Sequence, residues 1–285
     1  MARAQEIATQ IGSLEQLLEI VAALRAIAAV QMQQSQRSLD AIREYSGIIS
    51  RSLAEAASLV PEDGASSITG AAVRPGLVIF CSEHGFCGAF NQPLIKAAAD
   101  AIRSEPNLYL IFVGTRGAQR ASEFGLEPAM TMPMATHSGG VTVTARRVAA
   151  ELYRMFTAQT LTKLEAIFTR DAAGQRANLV RSKLLPLEAP AFEEHPTGLS
   201  PVLNMEPHQL LDDLAAEYMF AVLEAAAMES FASENAARFR TMEAAHENID
   251  NKTRELNRLV RRMRQEAVTT EILDLIGGFE ALKRR

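Results

Sequence analysis

Apolar residues recur at three- and four-residue steps near both ends of this chain, which constrains its fold more than any other feature. From the start the seam reads Ile7, Ile11, Leu14, Leu18 and Val21. It is interrupted at Arg25, resumes at Ala28 and Met32, breaks at Ser35 and continues through Leu39 and Ile42. A mean step of about 3.5 residues predicts a helix that lies along another helix. The far end carries a matching set: Ile249, Leu256, Leu259, Val260, Met263, Ala267, Ile272 and Ile276. These ends read as the two strands of one antiparallel pair, because they enclose the middle of the chain and must return to each other.

With 285 residues the chain has room for one large domain or two modest ones. Aromatics are 6% and Trp is absent against a hydrophobic fraction of 48%, a balance that suits helices in close contact better than a large sheet sandwich. A net charge of −5 gives no global case for nucleic acid. The charge is unevenly spread: no Lys precedes Lys96, whereas Lys252, Arg254, Arg258, Arg261, Arg262 and Arg264 crowd one stretch with only Glu255 among them. That run lacks the order of a dimeric basic region followed by a zipper, and the chain is acidic overall, both of which argue against DNA. Cys81 and Cys87 read as reduced structural residues, neither a disulfide framework nor a metal pair. The opening MARAQEIATQIGSLEQ has no hydrophobic signal core, and no run of about 18 apolar residues occurs. The expectation is a soluble protein that meets a membrane only through partners.

The periodicity predicts a first helix from about Ala4 to Leu59, stopped at Pro61-Glu62-Asp63-Gly64, with residues 61–76 a linker. Residues 77–81 and 108–113 are short continuous apolar runs that suit buried strands. Helices are expected over 92–104, after Gly114 to about Phe124, and over 144–159, with MTMPM as a loop. Residues 163–169 read as a third strand, Gly174 as a turn, and Ala177 to Leu185 as an antiparallel return strand. Alternating strands and helices predict a small α/β domain with a mostly parallel sheet. Residues 186–207 hold five of the eleven prolines and read as a second linker, and the last helix runs from Pro207 almost to Lys283. The expected fold class is therefore α+β: a long antiparallel coiled coil with an inserted, small, Rossmann-like α/β domain. The expected divisions are an N-terminal coiled-coil helix at 1–60, the α/β domain at 73–190 and a C-terminal coiled-coil helix at 207–285.

Gly85 and Gly88, in SEHGFCGAFN, follow a strand and precede a helix. A phosphate cradle of backbone N–H groups is one reading. The other is a structural strand-to-helix turn that needs positive φ, and the missing GxGxxG spacing and missing phosphate-loop Lys favour it. Gly114 and Gly117 invite the turn reading more strongly. The histidines, His84, His137, His195, His208 and His246, lie in separate segments without ligand spacing. Asp212-Asp213 and Glu193-Glu194 are adjacent pairs, which do not face each other on a helix. No catalytic constellation emerges. The basic run at 252–264 reads either as a solvated face or as a surface for an acidic loop of a partner, and it brings Arg258 and Arg261 into consideration.

Several motifs together resemble the gamma subunits of F-type ATP synthases. SEHGFCGAFN is similar to that family's Ser-Asp-Arg-Gly-Leu-Cys-Gly-Gly-Phe-Asn loop. Residues 230–250, SFASENAARFRTMEAAHENID, resemble its Ser-Glu-x-Ala-Ala-Arg-Met segment. Residues 264–278, RQEAVTTEILDLIGG, resemble its closing Arg-Gln-x-x-Ile-Thr-x-Glu-Leu-x-Glu-Ile motif. The N-terminal helix departs from the family's Lys-Ile-Thr-Lys-Ala-Met core, because Glu19 and Ala22 replace basic residues and Leu24 replaces Met; Glu83-His84 likewise replaces Asp-Arg. These departures suggest a divergent branch, such as the alternate ATPases that some bacteria carry beside their main enzyme. The resemblance implies a non-catalytic rotor shaft without cofactor or metal, coupling ion flow to ATP synthesis or hydrolysis. Its implied partners are the alpha, beta and epsilon subunits and the membrane rotor ring. Its implied place is peripheral, on the cytoplasmic face of a bacterial inner membrane. Arg264, Gln265 and Thr269 match the positions where the family's last helix touches the alpha/beta ring. Two rival readings are a metabolite-binding enzyme built on the α/β domain and a dimeric coiled-coil scaffold.

Overall fold

A computed structural model describes residues 2–58, 74–171, 177–185 and 203–283. Two long helices, α1 (Ala2–Ser58) and α5 (Pro207–Lys283), bracket a five-stranded sheet and its helices. The chain divides into two compact units: Met1–Ile27 with Phe239–Arg285, and Ala28–Arg238.

In the first unit the predicted seam is real. Ile7, Leu256 and Val260 form a buried cluster, with Ile11, Leu14 and Met263 packed against it. Further along, the Arg25 guanidinium donates to Glu243 at 2.9 Å. Residue numbers rise on α1 as they fall on α5, so the pair is antiparallel. Arg25 breaks the apolar pattern because it makes this cross-helix ion pair. The C-terminal seam is shorter than expected. Leu259 is 38% exposed, and Ile272 and Ile276 are 51% and 53% exposed. With Ile7 set against Leu256 and Val260, α5 runs past the start of α1 soon after Met263, and among the described residues no helix faces its later apolar residues.

In the second unit the strands are β1 (Arg74–Phe80), β2 (Tyr109–Val113), β3 (Met130–Met132), β4 (Leu161–Arg170) and β5 (Asn178–Leu185), in the order β3-β2-β1-β4-β5. β1 pairs parallel with β2 and β4, β2 pairs parallel with β3, and β5 returns antiparallel to β4. The helices are α2 (Asn91–Ser104), α3 (Thr115–Glu123) and α4 (Val141–Thr157). Side chains alternate between the two faces of each strand. Leu77, Ile79, Leu110, Phe112 and Ile167 meet α2 and α3; Val78, Phe80, Ile111, Val113, Ala166 and Phe168 meet α4 with parts of α1 and α5. Both faces are covered, which is why β1 and β2 are continuous apolar runs. Each fully buried Leu, Ile or Phe here contributes roughly 1.5–3 kcal/mol relative to exposure.

Three expectations need correction. The MTMPM segment holds β3, which pairs Ile111 with Met130 and Val113 with Met132. Three residues before a proline are too few to show a period. β1 starts at Arg74, inside the expected linker, and its pairing with β4 shifts register between Arg74 and Gly76. That irregularity accommodates Pro75, which has no N–H for the ladder. α4 starts three residues early, after a 3-10 turn at Ser138–Gly140. The Ser138 N–H donates to Gln31 Oε1 of α1 at 2.9 Å, and the glycine pair hides the start from the pattern. The expected Pro61–Gly64 stop, the Gly174 turn and residues 186–202 of the second linker lie outside the described residues.

Candidate partner-contact surface

On α5 the side chains of Leu256, Val260 and Met263 point to α1. At about 100° per residue, Arg254, Arg258, Arg261, Arg262, Gln265 and Thr269 fall on the opposite side of the helix. Arg258, Arg261, Arg264, Gln265 and Thr269 are all exposed. Lys252 pairs with Glu255 at 2.8 Å, and Arg254 pairs with Asp250 one turn back. Among the described residues Arg258, Arg261, Arg262 and Arg264 have no ion-pair partner. The face thus carries several uncompensated guanidinium groups, each able to grip a carboxylate with two parallel hydrogen bonds. The Thr269 hydroxyl donates to the Gln265 carbonyl at 2.8 Å, so these two residues share one face as their spacing requires. Arg264 lies between this face and the seam, in keeping with its expected place at the edge.

In the second unit the loop after β1 carries Gly85 and Gly88. Gly88 has φ 58, as the turn requires. Gly85 is not in that region; the left-handed residue beside it is Phe86, with φ 62 and 70% exposure. The expectation of positive φ is therefore corrected for Gly85. What holds the loop at Gly85 is Arg238, whose Nε and Nη2 each donate to the Gly85 carbonyl at 3.3 Å. Arg238 is held in turn by Glu234 and by Asn235 Oδ1. Burial pushes the Glu234 carboxyl up to about 7, against the lowering pull of Arg238. Burial likewise pushes both the Cys81 and Cys87 thiols up, which leaves them unreactive. Glu83 Oε2 accepts from the Thr115 N–H at 2.9 Å and the Met134 N–H at 2.8 Å, so it caps α3 from a distance.

Sheets of this kind bind ligands in the crevice beyond the strand ends where the order reverses, here between β1 and β4. α5 occupies that position. Ser230 Oγ donates to the Phe80 carbonyl at 2.9 Å, and Ser233 Oγ donates to the Thr169 carbonyl at 3.0 Å. Both serines are buried. The chain's own helix therefore fills the place where an enzyme of this topology would hold a nucleotide. A cleft of about 260 Å³ lies nearby, lined by Leu39, Arg43, Glu229 and Ala232 among others. The cleft also carries Asp40 and Asp171, and within it Glu229 Oε1 accepts from Arg43 Nε at 3.0 Å and, from outside the lining, from Arg170 Nε at 3.1 Å. Sequence reasoning missed the Arg43–Glu229–Arg170 group, because its members are far apart in the chain. It registered Glu234 and Arg238 only as parts of a motif, though their four-residue spacing within one helix was a usable signal.

A profile of the ATP synthase family matches residues 3–282. An ATP synthase gamma chain from Geobacter sp. (strain M21) is 27% identical over 293 residues, covering 99% of this chain and 100% of that one. One from Histophilus somni (strain 2336) is 28% identical over 298 residues, with 99% and 100% covered. Among solved structures, a chain of the Euglena gracilis mitochondrial ATP synthase, in an assembly of OSCP, F1 and c-ring, superposes with a TM-score of 0.65. That match has 14% identity and covers 99% of this chain and 95% of that one. A chain from the central stalk and c-ring of the Tetrahymena thermophila enzyme gives a TM-score of 0.60 at 19% identity, with 79% and 99% covered. At these identities the structural matches speak to the fold.

Proposed function

The chain belongs to the ATP synthase gamma-chain family, and on that premise we propose that it is the central-stalk rotor subunit of an F-type ATP synthase. It transmits torque between an ion-driven rotor ring in the membrane and a catalytic ring of alpha and beta subunits, and so couples ion translocation to ATP synthesis or hydrolysis. The observation that carries this reading is the length of the match: it runs from residue 3 to residue 282, through both long helices and the sheet between them.

In this reading α1 and α5 turn inside the catalytic ring, and the α/β domain at 73–190 sits against the epsilon subunit and the rotor ring. The shaft has no three-fold symmetry, so each orientation favours a different state at each catalytic site, and turning shifts those populations. The subunit itself makes and breaks no bond, which fits a switch-point crevice filled by Ser230 and Ser233. Its membrane association is peripheral, through the complex, on the cytoplasmic face of the bacterial inner membrane. Arg258, Arg261, Arg264, Gln265 and Thr269 contact the alpha/beta ring. Purifying the native complex and counting its subunits tests the reading. The chain is expected with alpha and beta subunits, and ATP turnover should depend on its presence. A chain that purifies alone and binds ATP at micromolar concentration would instead be the enzyme of the rival reading.

A further inference from the structure

The loop between β1 and α2 is fixed at both ends and held in the middle by a single side chain. Glu83 ties its start to the Thr115 and Met134 amides, and Cys87 near its end is buried. Between them lie His84, Gly85 and Phe86; His84 and Phe86 are exposed, and Phe86 is left-handed. Among the described residues, the bonds that reach this stretch from another element are those of Arg238 to the Gly85 carbonyl. Arg238 is itself set by a buried carboxylate. Its Nη2 donates both to Gly85 and to Glu234 Oε1, the latter at 2.5 Å and one turn back on α5. The two side chains are 13% and 4% exposed.

We propose that Glu234 and Arg238 form a proton-operated latch on this loop: the ionised carboxylate keeps the guanidinium on the Gly85 carbonyl, and uptake of one proton by Glu234 releases it. The cost of burial drives the release. A guanidinium so far from water is tolerated only beside its counter-ion, and neutral Glu234 no longer offsets its charge. Arg238 then turns to solvent and its two donors leave Gly85, whose half-buried carbonyl takes water instead. The groups that face Glu234 are Arg238 on its own helix, Cys81 on β1, and Glu83 and Cys87 on the loop. Burial keeps both thiols protonated, and Glu83 is engaged with two backbone amides, so none of these three replaces Glu234 as counter-ion. The negative charge of Glu83 and the burial of Glu234 both favour proton uptake, which places the Glu234 carboxyl at about 7. The latch therefore works in the neutral range, where ordinary carboxylates do not titrate.

The direction of the effect is distinctive. Proton uptake removes a buried charge and so stabilises the fold as a whole, yet it frees the loop. Acid loosens one segment while it tightens the molecule, a combination that general softening cannot produce. The latch is a property of the chain itself and does not rest on the functional reading above.

The test uses the full chain with a nitroxide at His84→Cys, which also removes the loop's own titratable histidine. Cys81 and Cys87 are buried, and the unaltered chain treated in the same way measures any label they take up. From pH 8 to pH 6 the rotational correlation time of the label should fall about threefold, with a midpoint near 7, while the urea midpoint rises. Glu234→Gln and Arg238→Met, each with helix content intact by circular dichroism, should show the short correlation time at both pH values. A correlation time that does not change with pH overturns the proposal. So does a pH response that persists in either variant, and so does a loop that loosens only as the urea midpoint falls.

Discussion

Arg264 and Gln265 stand exposed on α5, and their side chains make no bond that the fold depends on. Arg264→Ala should therefore leave the isolated chain folded, by circular dichroism, while impairing ATP turnover or assembly of the complex. A guanidinium–carboxylate contact buried by docking typically costs about 2–5 kcal/mol to break. Wild-type turnover in both Arg264→Ala and Gln265→Ala would remove them from the contact surface. Glu234 makes a different kind of prediction. Its carboxyl sits at about 7 in the folded chain against an ordinary value of 4.5. Between those values the folded state holds a proton that the unfolded state has released. Stability from this group is thus fully present below about 4.5 and is lost as pH rises through about 7, an effect of up to roughly 3 kcal/mol. Urea midpoints of the unaltered chain should fall from pH 5 to pH 8, and Glu234→Gln should flatten that slope. An unchanged slope would place the Glu234 proton elsewhere. At this scale the sequence displayed the candidates, since Arg258, Arg261, Arg264, Gln265 and Thr269 were visible as a run and a motif. It did not show that Gly85 is ordinary while Phe86 is left-handed, because that depends on Arg238, more than 150 positions away.

Helices and strands whose period was long enough to count were legible: α1, α2, α5, β2 and β5 lie within a few residues of their expected bounds. β3 was not, because its identity comes from pairing with β2 rather than from its own side chains. The seam on α1 was also legible, including its two breaks. Arg25 pairs with Glu243, and Ser35 is buried with its hydroxyl turned back to the Gln31 carbonyl at 2.6 Å. How elements are tied together was hidden. In the second unit Glu229 on α5 receives Arg43 of α1 and Arg170 of β4. Both arginines are about half exposed, so screening keeps each pair weak, and Glu229→Gln should cost about 1–2 kcal/mol. The reverse truncation, Arg43→Met with Arg170→Met, strands a buried carboxylate and should cost more, about 3–5 kcal/mol. Urea unfolding of the two variants checks the order, and equal losses would show that Glu229 does not depend on its two arginines.

At the scale of the whole molecule, the antiparallel return of the chain on itself separates a shaft from a dimeric scaffold. Ile7 and Val260 share one buried cluster. Ile7→Cys/Val260→Cys should oxidise to a disulfide within a single chain, read as a monomer of altered mobility on a non-reducing gel. Products linked only between chains would favour the scaffold. The fold class could be read from the sequence because the same apolar step appears at both ends. The filling of the switch-point crevice could not, since Ser230 and Ser233 look like ordinary helix residues until the ends of β1 and β4 are placed beside them. The Ile7 cluster also bears on how the protein is made. Leu256 and Val260 leave the ribosome roughly 250 residues after Ile7. At synthesis rates of about 5–20 residues per second, the first helix waits roughly 10–50 s for the residues that cover it. Throughout that interval Ile7, Ile11 and Leu14 lack their own chain's cover and are open to chaperones. A chain truncated before Leu256 stays in that condition.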